Sequence, residues 1–320
     1  MKRARRGWML AVSMALASPS HPAIAGSDYL FIDSFDPFPG FQIRLPEITV
    51  PPGQTGTFAY YARAPIAHSI GVNRWSSTMT PAAHHVIAYA TYTSAWAPLE
   101  IFPPGTLQQG SCGVDPLGSN RVGWLYAAHQ LTQELMLPNT DGTGQPLAME
   151  IESGQPLCVE IYIPSSDVPV TASAVVRADG LAANQGYMKT ATYVTHNTNI
   201  FIQSGSTTTL QRTCATPGGA KFWWVSTRTH RFAQFSRVLD GASPLVKNSD
   251  WQDPQAATFP PPAFHAFGSG GLTYECTWFN DSGFALTFGD NEDTNEVCMG
   301  IGYFFPAQHP AICINNIGPQ

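Results

Sequence analysis

Charge is what this 320-residue chain has least of. Only 12% of its residues are Asp, Glu, Lys or Arg, against roughly a quarter in an ordinary soluble domain, and just four are lysine. Ala/Glu/Lys/Leu-rich heptads are missing and 27 prolines are spread along the chain, which excludes coiled coils and helical arrays. No uncharged apolar run reaches the roughly 18 residues that a membrane-spanning helix needs. No C-x-x-C pair is present, so a zinc ribbon or a thioredoxin-like redox site has no support. A G-x-S-x-G nucleophile elbow and a Gly-rich phosphate loop are also absent, along with the parallel-sheet context they require. What is present is 43% hydrophobic and 12% aromatic residues, with 28 glycines as punctuation. That composition can bury a large core, excludes a disordered chain and points to a turn-rich, all-β protein.

The first 25 residues read as a secretory signal peptide. Lys2, Arg3, Arg5 and Arg6 form the basic region, Gly7 to Ala17 the apolar one, and Ala23-Ile24-Ala25 the cleavage site. Removing them leaves 12 basic residues (16 − 4) against 22 acidic ones, so the net charge moves from −6 to −10. An acidic exported protein is a poor partner for nucleic acid, and the mature chain carries no transmembrane segment. Export to the periplasm or the extracellular space also suits disulfides. The six cysteines are Cys112, Cys158, Cys214, Cys276, Cys298 and Cys313, and their spacing alone leaves all fifteen pairings open.

Runs rich in Val, Ile, Tyr, Phe, Trp and Thr predict strands over residues 56–61, 85–92, 157–163, 170–176, 221–227, 272–279 and 297–305. Pro-Pro-Gly at 51–53 and 103–105, Pro-Gly-Gly at 217–219 and Pro-Pro-Pro at 260–262 separate them. A mature chain of this length exceeds one sandwich, and the small, polar stretch 178–197 suits a connection. The expected division is therefore 26–177 and 198–320.

Histidine carries most of the candidate chemistry. His84-His85 opens the apolar strand Val86-Ile87-Ala88-Tyr89, and neutral imidazole is a good ligand for copper or zinc. Neighbours on a regular strand point to opposite faces, so sharing one metal requires the rings to curl together at a strand end. His230 follows the aromatic strand Phe222-Trp223-Trp224, two residues after Arg228. His129, His196 and His265 are further candidates that the sequence does not place. Asp290, Glu292 and Asp293 read as an acidic turn.

In combination these segments resemble the copper type II, ascorbate-dependent monooxygenases, the family of dopamine β-monooxygenase and peptidylglycine α-hydroxylating monooxygenase. Tyr274-Glu275-Cys276-Thr277-Trp278-Phe279-Asn280, then Leu286-Thr287-Phe288-Gly289, then Thr294-Asn295-Glu296-Val297-Cys298 looks like the family's C-x-x-x-N, F-G and D-E-M-C segments. Thr78-Met79-Thr80-Pro81-Ala82-Ala83-His84-His85 looks like its M-T-P-G-S-H-H segment. The resemblance implies two antiparallel jelly-roll-like β-sandwich domains with a copper ion in each, and ascorbate as the reductant of an active enzyme. It also implies the pairings Cys276–Cys298 and Cys214–Cys313, which leaves Cys112–Cys158.

The ligand set carries over only in part. His84 and His85 match two first-domain ligands, and Glu160 stands where the third histidine is expected. His230 matches one second-domain ligand, while Arg228 and Val297 stand in place of the other histidine and the methionine. Met299, two residues beyond Val297, is the tentative substitute, displaced by about 6–7 Å along a strand. Met299, Gly300, Ile301 and Ser226 occupy the neighbourhood of the substrate-carboxylate contacts of the peptide-amidating subtype, and none clamps a carboxylate as Arg does. Two readings follow. One is an exported monooxygenase-like protein with incomplete ligand sets that binds one copper. The other is a non-catalytic binding or structural protein that keeps the family fold and disulfides. The substrate of an active form is a small molecule that the sequence does not identify.

Overall fold

The computed structural model describes residues 39–112 and 120–318, and the expected signal peptide lies outside them. Among the described residues there is no helix, so none is long and apolar enough to cross a membrane. The protein is all-β and its strands pair antiparallel with three short exceptions. Its Pro-Pro-Gly signals are tight turns in which Gly53 and Gly105 adopt φ of 72° and 88°, a region that favours glycine.

Two jelly-roll-like sandwiches are stacked as four layers. The outer sheet of the first runs Gly40–Arg44, Ala174–Gly180, Ile70–Met79, Leu147–Ile151 and Met188–Lys189. Its inner sheet runs Leu107–Gln109, Gly56–Arg63, Pro156–Ile163, His85–Thr93 and Asn120–Ala128. Val72, Trp75 and Met79 from one sheet close on Val86, Ala88, Val159 and Ile161 from the other. The inner sheet of the second sandwich runs Ala257–Thr258, Lys221–Arg228, Met299–Phe305, Ala191–His196 and Ala311–Ile314. Its outer sheet runs Thr207–Cys214, Leu272–Phe279, Ala233–Asp240 and Ser243–Asn248. Phe222, Val225 and Phe304 pack there on Val238, Tyr274 and Trp278.

The two inner sheets face each other. Ala59, Ile87, Tyr89 and Cys158 of the first sandwich bury against Val194, Val297, Met299 and Ile301 of the second. Strands buried on both faces read as near-continuous apolar runs, which is how Met299–Phe305 reads. Polar bonds also cross this seam: Thr192 donates to the Trp124 carbonyl (2.8 Å) and Tyr303 to the Leu125 carbonyl (3.1 Å). The chain crosses at Thr190. Met188–Lys189 still pairs with the first sandwich, and Ala191–His196 pairs within the second.

Two expected strands differ in outline. The 170–176 run splits at Ser173, where the chain leaves the Ile48–Val50 strand and joins the outer sheet. The last strand begins at Met299 rather than residue 297, because its partner ends at Arg228 and offers nothing further to pair. The disulfides are Cys112–Cys158, Cys214–Cys313 and Cys276–Cys298, the pairing that the resemblance implies. Three such bonds and no free cysteine among the described residues suit an oxidising, extracytoplasmic environment.

Candidate metal centre

His84, His85 and His129 meet at one end of the first inner sheet. Each offers a ligand atom, and these atoms lie within 4.8 Å of one another. Among the described residues no other set of three His, Cys, Asp or Glu side chains converges in this way. The two adjacent histidines share a site because the strand begins at His85. His84 lies just before it, on a turn in which Ala83 N–H donates to Thr80 O, and its own N–H donates to Tyr162 O (2.9 Å). Freed from strand alternation, the rings curl together, with Nδ1 of His84 3.1 Å from Nδ1 of His85.

His129 arrives by cross-strand pairing. Asn120–Ala128 runs antiparallel to His85–Thr93 with Ala128 opposite Val86, so the next residue outward on one strand meets the next on the other. The Gln133 side chain holds the bend by accepting from the N–H groups of His129 (2.8 Å) and Gln130 (3.2 Å). The buried Nδ1 of His129 has no hydrogen-bond partner, and the Gln252 backbone lies close enough to the ring to favour its charged form. With its proton on Nε2, the ring presents a free Nδ1 lone pair, the state in which imidazole binds a metal. His84 Nε2 is also buried without a partner.

The remaining expected residues line a cavity of about 80 Å³ between the two inner sheets: Glu160, Arg228, His230, Val297 and Met299, together with His196. Glu160 faces this space, accepts from the Cys112 N–H (3.1 Å) and does not join the histidine cluster. Tyr162, two residues further along the same strand, is the residue opposite His85 and stacks on it (5.5 Å). The third imidazole is thus supplied by His129, from a different strand. His230 donates its backbone N–H to Glu296 Oε2 (2.9 Å), and its Nδ1 lies 3.1 Å from the Asn295 carbonyl. It is outside the convergent group, as are His196 and His265. His265 pairs with Asp240 at 3.2 Å, outside the cavity.

Arg228, which lines the cavity together with Arg121, is the arginine that reaches the histidines. Its Nη2 is 3.4 Å from Glu292 Oε1 and 3.4 Å from His85 Nε2, so it bridges the sandwiches through His85 rather than Glu160. Glu292 is 3% exposed, its Oε1 lies 3.6 Å from His85 Nδ1, and its Oε2 has no partner. Burial, then the Arg228 charge, holds His84 down to about 4 and His85 well below its ordinary range. The same causes hold His129 and His230 to about 3. Burial raises Glu160 and Glu292 to about 7, against the pull of Arg228. His84, His85, His129 and His230 are therefore neutral and able to donate lone pairs at neutral pH.

No family model and no curated protein matches this chain. Among solved structures, that of the STIV MCP aligns with 81% of the chain and 97% of its own length, at 8% identity and a TM-score of 0.33. The major capsid protein P2 from bacteriophage PM2 aligns with 83% of the chain and 97% of its own, at 9% identity and 0.33. Peptide: N-glycanase F aligns with 83% and 94%, at 9% identity and 0.32.

Proposed function

We propose that the protein binds one copper ion at His84, His85 and His129 and serves in copper binding or electron transfer outside the cytoplasm, in the periplasmic or extracellular space. The reading rests on the convergence of three neutral imidazoles, one with its Nδ1 lone pair buried and unpartnered. Three histidines form a site for copper or zinc by donor type alone. Arg228 argues for the ion of lower charge, because repulsion from a fixed guanidinium scales with the charge of its neighbour. Copper held there supplies a one-electron couple. The chain's own part is to keep the rings neutral by burial, to fix the His84 and His129 backbones through the Tyr162 carbonyl and the Gln133 side chain, and to cover the site with the Trp251 and Tyr162 rings.

The resemblance to the copper type II, ascorbate-dependent monooxygenases supports the metal and fails at the second site. Arg228 and Val297 offer no lone pair where a histidine and a methionine are expected, and Arg cannot be deprotonated to accommodate a cation. The chain does not fit the second copper, so we derive no oxygen-inserting step. The alternative, a non-catalytic binding or structural protein that keeps the fold and the disulfides, is favoured by the ligands replaced at both expected sites, Arg228 and Val297 above all.

Copper-loaded protein tests this reading. Its Cu(II) resonance is expected to show nitrogen coupling, and ascorbate is expected to bleach it without sustained oxygen uptake. Catalytic, ascorbate-dependent oxygen consumption would contradict the proposal.

A further inference from the structure

The residues that enclose the histidine triad do not all belong to its own sandwich. The chain after Ser243–Asn248 makes a loop whose neck is tied by Asn248. Its side-chain amide donates to the Gln255 carbonyl (3.0 Å) and accepts from the Gln255 N–H (2.8 Å). Ser226 donates to the same carbonyl (2.7 Å), and Asn248 also donates to Thr227 Oγ1 (2.8 Å). Inside the loop Asp250 Oδ1 accepts from the Gln252 N–H (2.9 Å), which fixes the tip. Closed loops packed in this way are often functional.

Three successive residues of that tip address the triad. Trp251 stacks on His84, with ring centroids 5.0 Å apart and planes 25° from parallel. The Gln252 backbone lies beside the His129 ring, whose buried Nδ1 has no partner. Asp250 places a negative charge close enough to His84 to oppose the Arg228 charge. A covering ring, a backbone group beside a ligand histidine and a compensating charge are usual outer partners of a metal centre.

Resting on the single-metal reading of the triad, we infer that residues 249–254 are the outer shell of the metal centre, with Trp251 a positioning residue that seals His84. The second sandwich thereby sets how tightly, and for how long, the first one holds its metal. This gives the two-sandwich arrangement a use even with one ion.

The experiment is release of Cu(I) from loaded full-length protein into a chromogenic chelator. Trp251→Ala is expected to bind 10–100-fold more weakly, the usual cost of losing such a partner, and to release copper at least about tenfold faster. Trp251→Phe keeps a stacking ring and is expected to stay within about threefold of wild type. Cu(II) is expected to quench tryptophan fluorescence less in Trp251→Phe than in wild type, a signature that a merely structural residue would not give. Asp250→Asn keeps the turn and removes the charge, which guards against a fold defect in the alanine variant, and is expected to weaken binding severalfold. Wild-type release rates in both Trp251→Ala and Asp250→Asn would overturn the inference and leave the metal reading standing. A wild-type protein that takes up no copper would overturn both.

Discussion

Removing His129 leaves two imidazoles where three converge. His129→Ala is expected to weaken copper binding at least about 100-fold, as strongly as His84→Ala, in a competition titration. Glu160→Gln keeps an acceptor for the Cys112 N–H and is expected to change affinity by less than about threefold. Arg228→Gln removes a fixed cation beside His85, so Cu(II) affinity is expected to rise about tenfold, and more than Cu(I) affinity. The competing result is no change, which would place Arg228's charge wholly on Glu292. At this scale the sequence exposes His84 and His85 as a pair but hides their partner. His129 joins them only because strands 85–93 and 120–128 are neighbours, and pairing between strands separated by a long connection leaves no local signal. The approach of Trp251 to His84 is equally invisible, since the two lie more than a hundred residues apart.

Strand ends and the loops beside them carry the motif that looks most like the monooxygenase family, and there it has a structural task. Glu296 accepts from the N–H groups of His230 (2.9 Å) and Phe232 (2.8 Å) and from Trp278 Nε1 (2.8 Å), tying three segments of the second sandwich together. Asn280 does the same nearby, donating to the Ile202 (2.9 Å) and Phe284 (2.7 Å) carbonyls. Glu296→Gln turns one acceptor oxygen into a donor amide facing N–H groups. It is expected to cost about 1–3 kcal/mol in chemical denaturation while copper stoichiometry stays unchanged. A stability loss below the error of the measurement would contradict this assignment. The strands themselves were legible, because β-branched and aromatic runs between Pro and Gly leave little else to form. Their ends were less so. The split at Ser173 and the start at Met299 are set by which neighbour is available to pair, a property of the sheet and not of the run.

Across the whole molecule, the four-layer stack concentrates titratable groups in a dry seam, and this fixes its response to pH. His84, His129, His196 and His230 are held near 3 or 4, so the unfolded chain binds their protons first as pH falls below about 6.5, and stability drops. Glu160, Glu292 and Glu296 are raised to about 7 and act oppositely, contributing stability that is present at acid pH and lost as pH rises from about 4.5 to 7. The two sets offset each other between those limits, and below about 4.5 only the histidines act. The metal-free protein is therefore expected to keep a nearly level melting temperature from pH 7 to 5 and lose it steeply from 4.5 to 3.5. His196→Gln, away from the triad, is expected to make that fall shallower. An equal slope in the variant would contradict the account. The all-β class was legible at this scale from composition. The facing of the two inner sheets was not, because apolar residues there look the same whether they cover a sandwich core or a seam between sandwiches.

The central claim is a count: one metal, held by three named histidines. Metal analysis of the folded protein after Cu(I) titration reads it directly. The account predicts one tightly held copper per chain in the wild type and none in His84→Ala or His129→Ala, with His230→Ala still holding one. Two coppers per chain, or one that survives His129→Ala, would contradict it.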